Sequence, residues 1–180
     1  IKLYKLDVEF QIRESTMHTK DSIFQEKIIP YLGNMPVSAI TNRDILQWEN
    51  KMKTLHSANG KLYSQTYLKT VYNQLVALLN HAVKYYGLKE NPANHAPTLG
   101  SRKGKEMQIW TTEEYKQFRD AIEDKPLSFY AFEILYWCGL RVGELLALTR
   151  TDINLTKSTI SITKSLQHLK KRVIITPPKT

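Results

Sequence analysis

The chain has 180 residues, 42% of them apolar, and carries 26 Lys and Arg against 17 Asp and Glu, a net charge of +9. That apolar share is enough for one large or two small packed cores and excludes a disordered polyelectrolyte, while the positive surplus favours polyanionic partners, nucleic acid ahead of an acidic membrane surface. The single cysteine, Cys138, excludes disulfide and zinc frameworks, and no apolar run approaches a membrane span, so no metal, cofactor or membrane partner is expected and a reducing cytoplasm fits.

In chain order, Ser15-Thr16 is placed to cap a helix carrying Ile23, Phe24, Ile28 and Ile29, with Pro30 and Gly33 of "PYLGN" as its stop and a shorter helix ahead of it. Thr41 to Asp44 has capping-box spacing, with Asp in place of Glu or Gln, and Ile45, Leu46, Trp48, Met52 and Leu55 follow at helical intervals. After the loop "HSANGKLYS", the longest periodic run starts at Ser64 and carries Leu68, Val71, Tyr72, Leu75, Leu78, Leu79, Ala82 and Val83 up to Gly87. These elements predict a four-helix bundle over residues 1–92. Tyr85 and Tyr86 at its last helix end are expected to be buried or half-buried aromatics rather than base-stacking platforms.

The segment "NPANHAPTLGSRKGKEMQ" has two prolines, two glycines and the basic cluster Arg102, Lys103 and Lys105 with little apolar periodicity, which predicts a linker over 93–108. Thr111 and Glu114 then form a capping box, Leu127 to Trp137 is apolar nearly all round as for a helix at the centre of a second domain, and a short helix follows from Arg141 to Leu148. Cys138 is expected as a small buried side chain, and Asp152 as a residue that ends a helix or caps a turn. β-branched residues near 159–165 and 172–176 predict two paired strands. The whole reads as mainly α, with an α+β second part over 109–180.

In "CGLRVGELLALTRTDIN", Gly139 breaks one helix and places Arg141 at the start of the next, where free backbone N–H groups and the helix dipole favour an anion. A guanidinium there can clamp a phosphate through two parallel hydrogen bonds, and Glu144, one turn on, can both cap the helix and fix the arginine rotamer. An ordinary surface ion pair has the same spacing.

The stretch "YWCGLRVGELLALTRTDIN" closely resembles the first arginine box of the tyrosine recombinases, the phage and transposon integrases. "IIPYLGNMPVSAITNRDILQW" and "YSQTYLKTVYNQLVALLNHAVKYYGLKENPA" look like the helical, SAM-like core-binding domain of that family, and "TISITKSLQHLKKRVIITPPKT" is similar to the start of its catalytic sheet, as in integrases of Gram-positive phages and conjugative transposons. The resemblance implies a two-domain clamp on double-stranded DNA that self-associates on its sites in the complete protein. It also implies metal-free chemistry: a tyrosine attacks a phosphodiester, arginines and histidines stabilise the phosphorane, and a hairpin lysine protonates the leaving 5′ oxygen.

By position, Arg141 matches the first catalytic arginine, Glu144 the acidic residue that supports it, and Lys179 in "PPKT" the hairpin lysine, with Lys164, Lys170 and Lys171 close by in sequence and a solvated turn lysine as the other reading. The family's His-x-x-Arg box and late nucleophilic tyrosine have no match: none of the five histidines has an arginine three residues on, and the ten tyrosines lie in segments that resemble core helices or loops. The chain begins at Ile1 and stops at Thr180 just after a Pro-Pro pair, so both ends are expected to be cut and the chain alone to be inactive. For DNA contact the resemblance favours Gln65, Thr66, Lys69, Thr70 and Asn73, opposite the leucine stripe, and the cluster Arg102, Lys103 and Lys105. The alternative function is a non-catalytic DNA-binding module or regulator.

Overall fold

The computed structural model describes residues 1–104 and 106–179. It divides into two compact units, Ile1–Glu106 and Met107–Thr180.

In the first unit α1 (Lys2–Val8), α2 (Glu14–Ile23), α3 (Ile29–Leu32), α4 (Asn42–Thr54) and α5 (Gln65–Tyr85) follow one another. α2 starts at Glu14 with Arg13 as its cap, ahead of the expected Ser15-Thr16. Pro30 and Gly33 were expected to stop this helix; Gly33 does cap it after Leu32, but Pro30 does not interrupt it. Proline has no N–H and its ring would strike the carbonyl four residues back, so the backbone widens into a π turn over Phe24–Ile28, where the Ile29 N–H donates to the Phe24 carbonyl. α2 and α3 are therefore one rod, and four helical rods make up the bundle.

α4 opens with the capping box read from the sequence: the Thr41 N–H donates to Asp44 Oδ2 at 2.9 Å and the Asp44 N–H to Thr41 Oγ1 at 3.4 Å. At the head of α5 the Tyr67 N–H donates to Ser64 Oγ. The α5 stripe of Leu68, Val71, Tyr72, Leu75 and Leu79 is buried against Phe24, Ile28, Ile45, Trp48 and Met52. Each of these large side chains stabilises the unit by about 1.5–3 kcal/mol on burial. α1 is tied down by the Lys5–Asp21 ion pair and by Lys20, which reaches both Tyr4 and Gln74.

Two expectations at the end of this unit are corrected. Tyr85 and Tyr86 are exposed, the Tyr86 hydroxyl donating to Asp7 Oδ2 beside His81, because the last turn of α5 lies at the edge of the core, against α1. The Tyr86 and His81 hydrogen bonds hold the Asp7 carboxyl below its usual range. Residues 93–101, expected as linker, pack on the bundle. The buried Asn91 accepts from the Ala93 N–H at 2.8 Å and donates to Asn80, Tyr72 donates to the Ala93 carbonyl, and Leu99 is fully buried in the same core.

The second unit begins with α6 (Thr112–Asp120), opened by the expected Thr111–Glu114 capping box. α7 (Pro126–Cys138) follows, ending at Gly139 with φ 65°, and then α8 (Val142–Ala147). The Tyr115 ring stacks on Tyr136 at 3.6 Å, and its hydroxyl donates to Glu133; burial and that carboxylate push the phenol up to about 12. α7 was expected at the centre of the unit, yet none of its residues is buried, and Leu127, Tyr130 and Trp137 are exposed. An all-round apolar helix needs neighbours on every side, and among the described residues of this unit only α6 and α8 pack closely on it. Cys138, at the end of α7, is likewise exposed rather than buried.

The strands also pair differently from the expectation. β1 (Ile153–Asn154) pairs with β2 (Thr159–Ile160), and β3 (Ser165–Leu169) pairs antiparallel with β4 (Arg172–Thr176), Leu169 facing Arg172 across the two-residue turn Lys170-Lys171. Both turn lysines have positive φ, 47° and 65°, the mirror-image turn that matches strand twist. Residues 161–164 leave the ladder because Asp152 holds them: its carbonyl accepts the Ser161 N–H at 2.8 Å and its carboxylate accepts Lys164.

Candidate phosphate and DNA contact sites

Arg141 caps α8 in extended conformation, between Leu140, which is buried, and Gly143, which lies against β3. A Cβ on Gly143 would come within 2.7 Å of both the Leu166 carbonyl and Ser165 Oγ, so glycine at this position allows α8 to sit directly on the hairpin strand. Gly143 was not singled out from sequence; the signal is a glycine inside a helical pattern, which costs stability unless something approaches closely.

Glu144 reaches back to the cap with both oxygens: Oε2 accepts the Arg141 N–H at 2.9 Å and Oε1 accepts Arg141 Nη1 at 2.9 Å. The Glu144 side chain is 6% exposed and that of Arg141 66%. The Arg141 amide, then its guanidinium, hold the Glu144 carboxyl below its usual range. Arg141 Nη1 also donates to the Lys179 carbonyl at 3.1 Å. Both anchors use Nη1, and among the described residues Nε and Nη2 find no acceptor, which leaves an exposed planar edge suited to two oxygens of a phosphate. The structure thus brings Lys179 beside Arg141 through its main chain, while its side chain is exposed.

The other lysines near this region are placed apart in role. Lys164 is bound to Asp152 at 2.8 Å and Thr149 at 3.1 Å, and Lys170 and Lys171 form the β3–β4 turn. Asp152, expected to cap a turn, does so: it accepts the Thr149 N–H at 2.7 Å, and the Lys164 ammonium, followed by Thr149, holds its carboxyl down at about 2.

In the first unit Gln65, Thr66, Thr70 and Asn73 are exposed on α5 and Lys69 is half-buried, its ammonium 5.1 Å from the Tyr72 ring centroid. Arg102 and Lys103 are exposed on the segment that follows Leu99. Lys105 lies outside the described residues. No helix among the described residues is long and apolar enough to cross a membrane.

Against this geometry, known proteins give a consistent comparison. The profile of the phage integrase N-terminal SAM-like domain matches residues 1–53. The ICEBs1 integrase of Bacillus subtilis (strain 168) is 26% identical over 181 residues, covering 100% of this chain and 47% of the relative. A XerC-like tyrosine recombinase of Caldanaerobacter subterraneus subsp. tengcongensis is 28% identical over 143 residues, covering 77% of this chain and 36% of the relative. The chain therefore spans about half the length of these curated relatives or less. Among solved structures, the Tn1549 transposon integrase in complex with transposon right end DNA superposes with a TM-score of 0.79 at 20% identity, covering 99% of this chain and 57% of the other. That last likeness establishes the fold. Helical unit and relatives point the same way: residues 1–53 match the phage integrase SAM-like domain, and the chain as a whole is similar to integrases and tyrosine recombinases.

Proposed function

We propose that this chain is the DNA-gripping part, and the first part of the active centre, of a site-specific recombinase that integrates and excises a mobile element in the cytoplasm. Residues 1–106 serve as the core-binding domain and residues 107–180 open the catalytic domain. The observation that carries the reading is Arg141: a helix-start guanidinium held by a buried carboxylate, with an exposed planar edge and Lys179 adjacent. In the phosphotyrosine mechanism Arg141 binds the non-bridging oxygens of the scissile phosphate as charge builds on the phosphorane, and Glu144 keeps it oriented. The Lys179 ammonium supplies the proton to the departing 5′ oxygen. Recombination cuts four strands, and one nucleophile per protomer requires self-association on DNA.

Binding to duplex DNA tests the first half of this reading. With roughly 4 to 6 phosphate contacts, the log–log slope of affinity against salt is expected to be about −4 to −5, and a slope near zero would remove nucleic acid as the partner.

The nucleophile tests the second half. None of the ten tyrosines sits in the motif that carries it in the family, so the 180-residue chain is expected to form no covalent adduct with a nicked suicide substrate on a denaturing gel. An adduct band would identify one of the ten as the attacking group.

A further inference from the structure

The charge of the helical unit is segregated along the sequence. Residues 1–49 are nearly balanced, with six Lys and Arg against seven Asp and Glu, whereas residues 50–105 carry nine Lys and Arg against the single acid Glu90. The whole basic surplus of the unit therefore lies on the last turns of α4, on α5 and on the segments flanking α5, and it includes Lys69, Arg102 and Lys103.

Those last three residues are linked by an unusual close approach. Leu99 is fully buried, Gly100 has φ +74°, and the Ser101 N–H donates to the Gln65 carbonyl at 3.1 Å. A Cβ on Gly100 would stand 2.3 Å from the Gln65 carbonyl oxygen and 2.4 Å from the Lys69 nitrogen, both rigid backbone atoms. Glycine is thus required twice here, by its backbone conformation and by the contact. Ser101 Oγ in turn accepts the Lys103 N–H at 3.1 Å, which fixes the backbone that carries Arg102 and Lys103.

We propose that Leu99-Gly100-Ser101 is a clip that fastens the Arg102–Lys103 segment to the first turn of α5, so that these two cations and the side chains of Gln65, Thr66 and Thr70 form one preorganised surface for the sugar–phosphate backbone of duplex DNA. The inference rests on the reading of this chain as DNA-binding and names how its charge is presented. A free segment would lose conformational entropy on engaging phosphates; a clipped one has already lost it on folding, and the difference appears as affinity.

The test uses the 180-residue chain and a mixed-sequence duplex of about 25 base pairs, titrated over a range of salt. Arg102→Gln/Lys103→Gln is expected to weaken binding and to make the log–log slope shallower by about 1 to 2, as for one or two lost phosphate contacts. Gly100→Ala is expected to abolish hydrogen-exchange protection of the Ser101 amide, to weaken binding about three- to tenfold with a shallower slope, and to add nothing in the Arg102→Gln/Lys103→Gln background. Ser101→Pro, which deletes the N–H that meets Gln65, serves as a second disruption if Gly100→Ala lowers the thermal midpoint of the unit. Loss of Ser101 protection with unchanged affinity and slope would overturn the clip. So would a Gly100→Ala loss of equal size in both backgrounds. A wild-type chain without salt-dependent DNA binding is a different failure, that of the DNA-binding reading itself.

Discussion

Arg141→Lys in the whole protein is expected to slow strand cleavage by about 10² to 10³ while leaving DNA affinity nearly unchanged, the loss that follows removal of one preorganised transition-state donor. Lysine keeps the positive charge but replaces a planar fork with a single ammonium. It also lacks a second nitrogen to stay on Glu144 Oε1 and the Lys179 carbonyl while another meets the phosphate, as Nη1 and the exposed edge of Arg141 allow. Glu144→Gln retains the shape and one acceptor for the Arg141 N–H or Nη1, so a smaller loss in the same direction is expected. Single-turnover cleavage of a nicked duplex, with binding measured at the same salt, separates the two effects. Normal cleavage by Arg141→Lys would reduce the Arg141–Glu144 pair to a surface ion pair.

The second large effect is on stability and comes from Glu49 on α4. Its side chain is fully buried in the first unit, and both carboxyl oxygens lack a hydrogen-bond partner among the described residues. Burial raises its pKa, with the Lys53 charge acting in the opposite sense, and burial, then the Glu49 charge, push up the Tyr72 phenol. A carboxyl whose pKa is raised by folding binds its proton more tightly in the folded state. The associated stabilisation is complete below the ordinary carboxyl range and is lost as pH rises through the raised value.

Glu49→Met removes the buried charge and keeps the volume close. At about pH 8 it is expected to stabilise the helical unit by about 1–3 kcal/mol, with a smaller gain at about pH 5. Urea unfolding of both proteins at the two pH values measures it; equal stability at both would show that the carboxyl finds a partner in solution.

The features legible in the sequence were those fixed by neighbours in the chain. Thr41 with Asp44, Thr111 with Glu114 and Arg141 with Glu144 are three residues apart, and a helix start brings such pairs together without help from elsewhere. The α5 stripe is similar, since a 3.6-residue period determines which side chains share a face whatever they pack against. Features that depended on what packs where were not legible. Pro30 reads as a stop, whereas the burial of Phe24 and Ile28, the first and last residues of the π turn, favours a rod that stays helical through it.

The strand register and the unit boundary show the same division. β-branched residues mark 159–165 as extended, but the long-range pull of Asp152 on Lys164 and Ser161 decides that the hairpin begins at Ser165. Proline, glycine and low periodicity mark 93–108 as a linker, yet Leu99 has a hydrophobic slot and Gly100 a backbone to lie against, so the bundle extends to Ser101. The sequence by itself determined the long helices, the caps at Thr41, Ser64, Thr111 and Arg141, and the basic surplus, because each follows from composition or from spacings within one or two turns. Tertiary structure alone decided that Lys179 lies beside Arg141, that Gly143 and Gly100 are points of close approach, and that Glu49 is buried without a partner. Each of these depends on the meeting of segments whose separation in the chain carries no periodic signal.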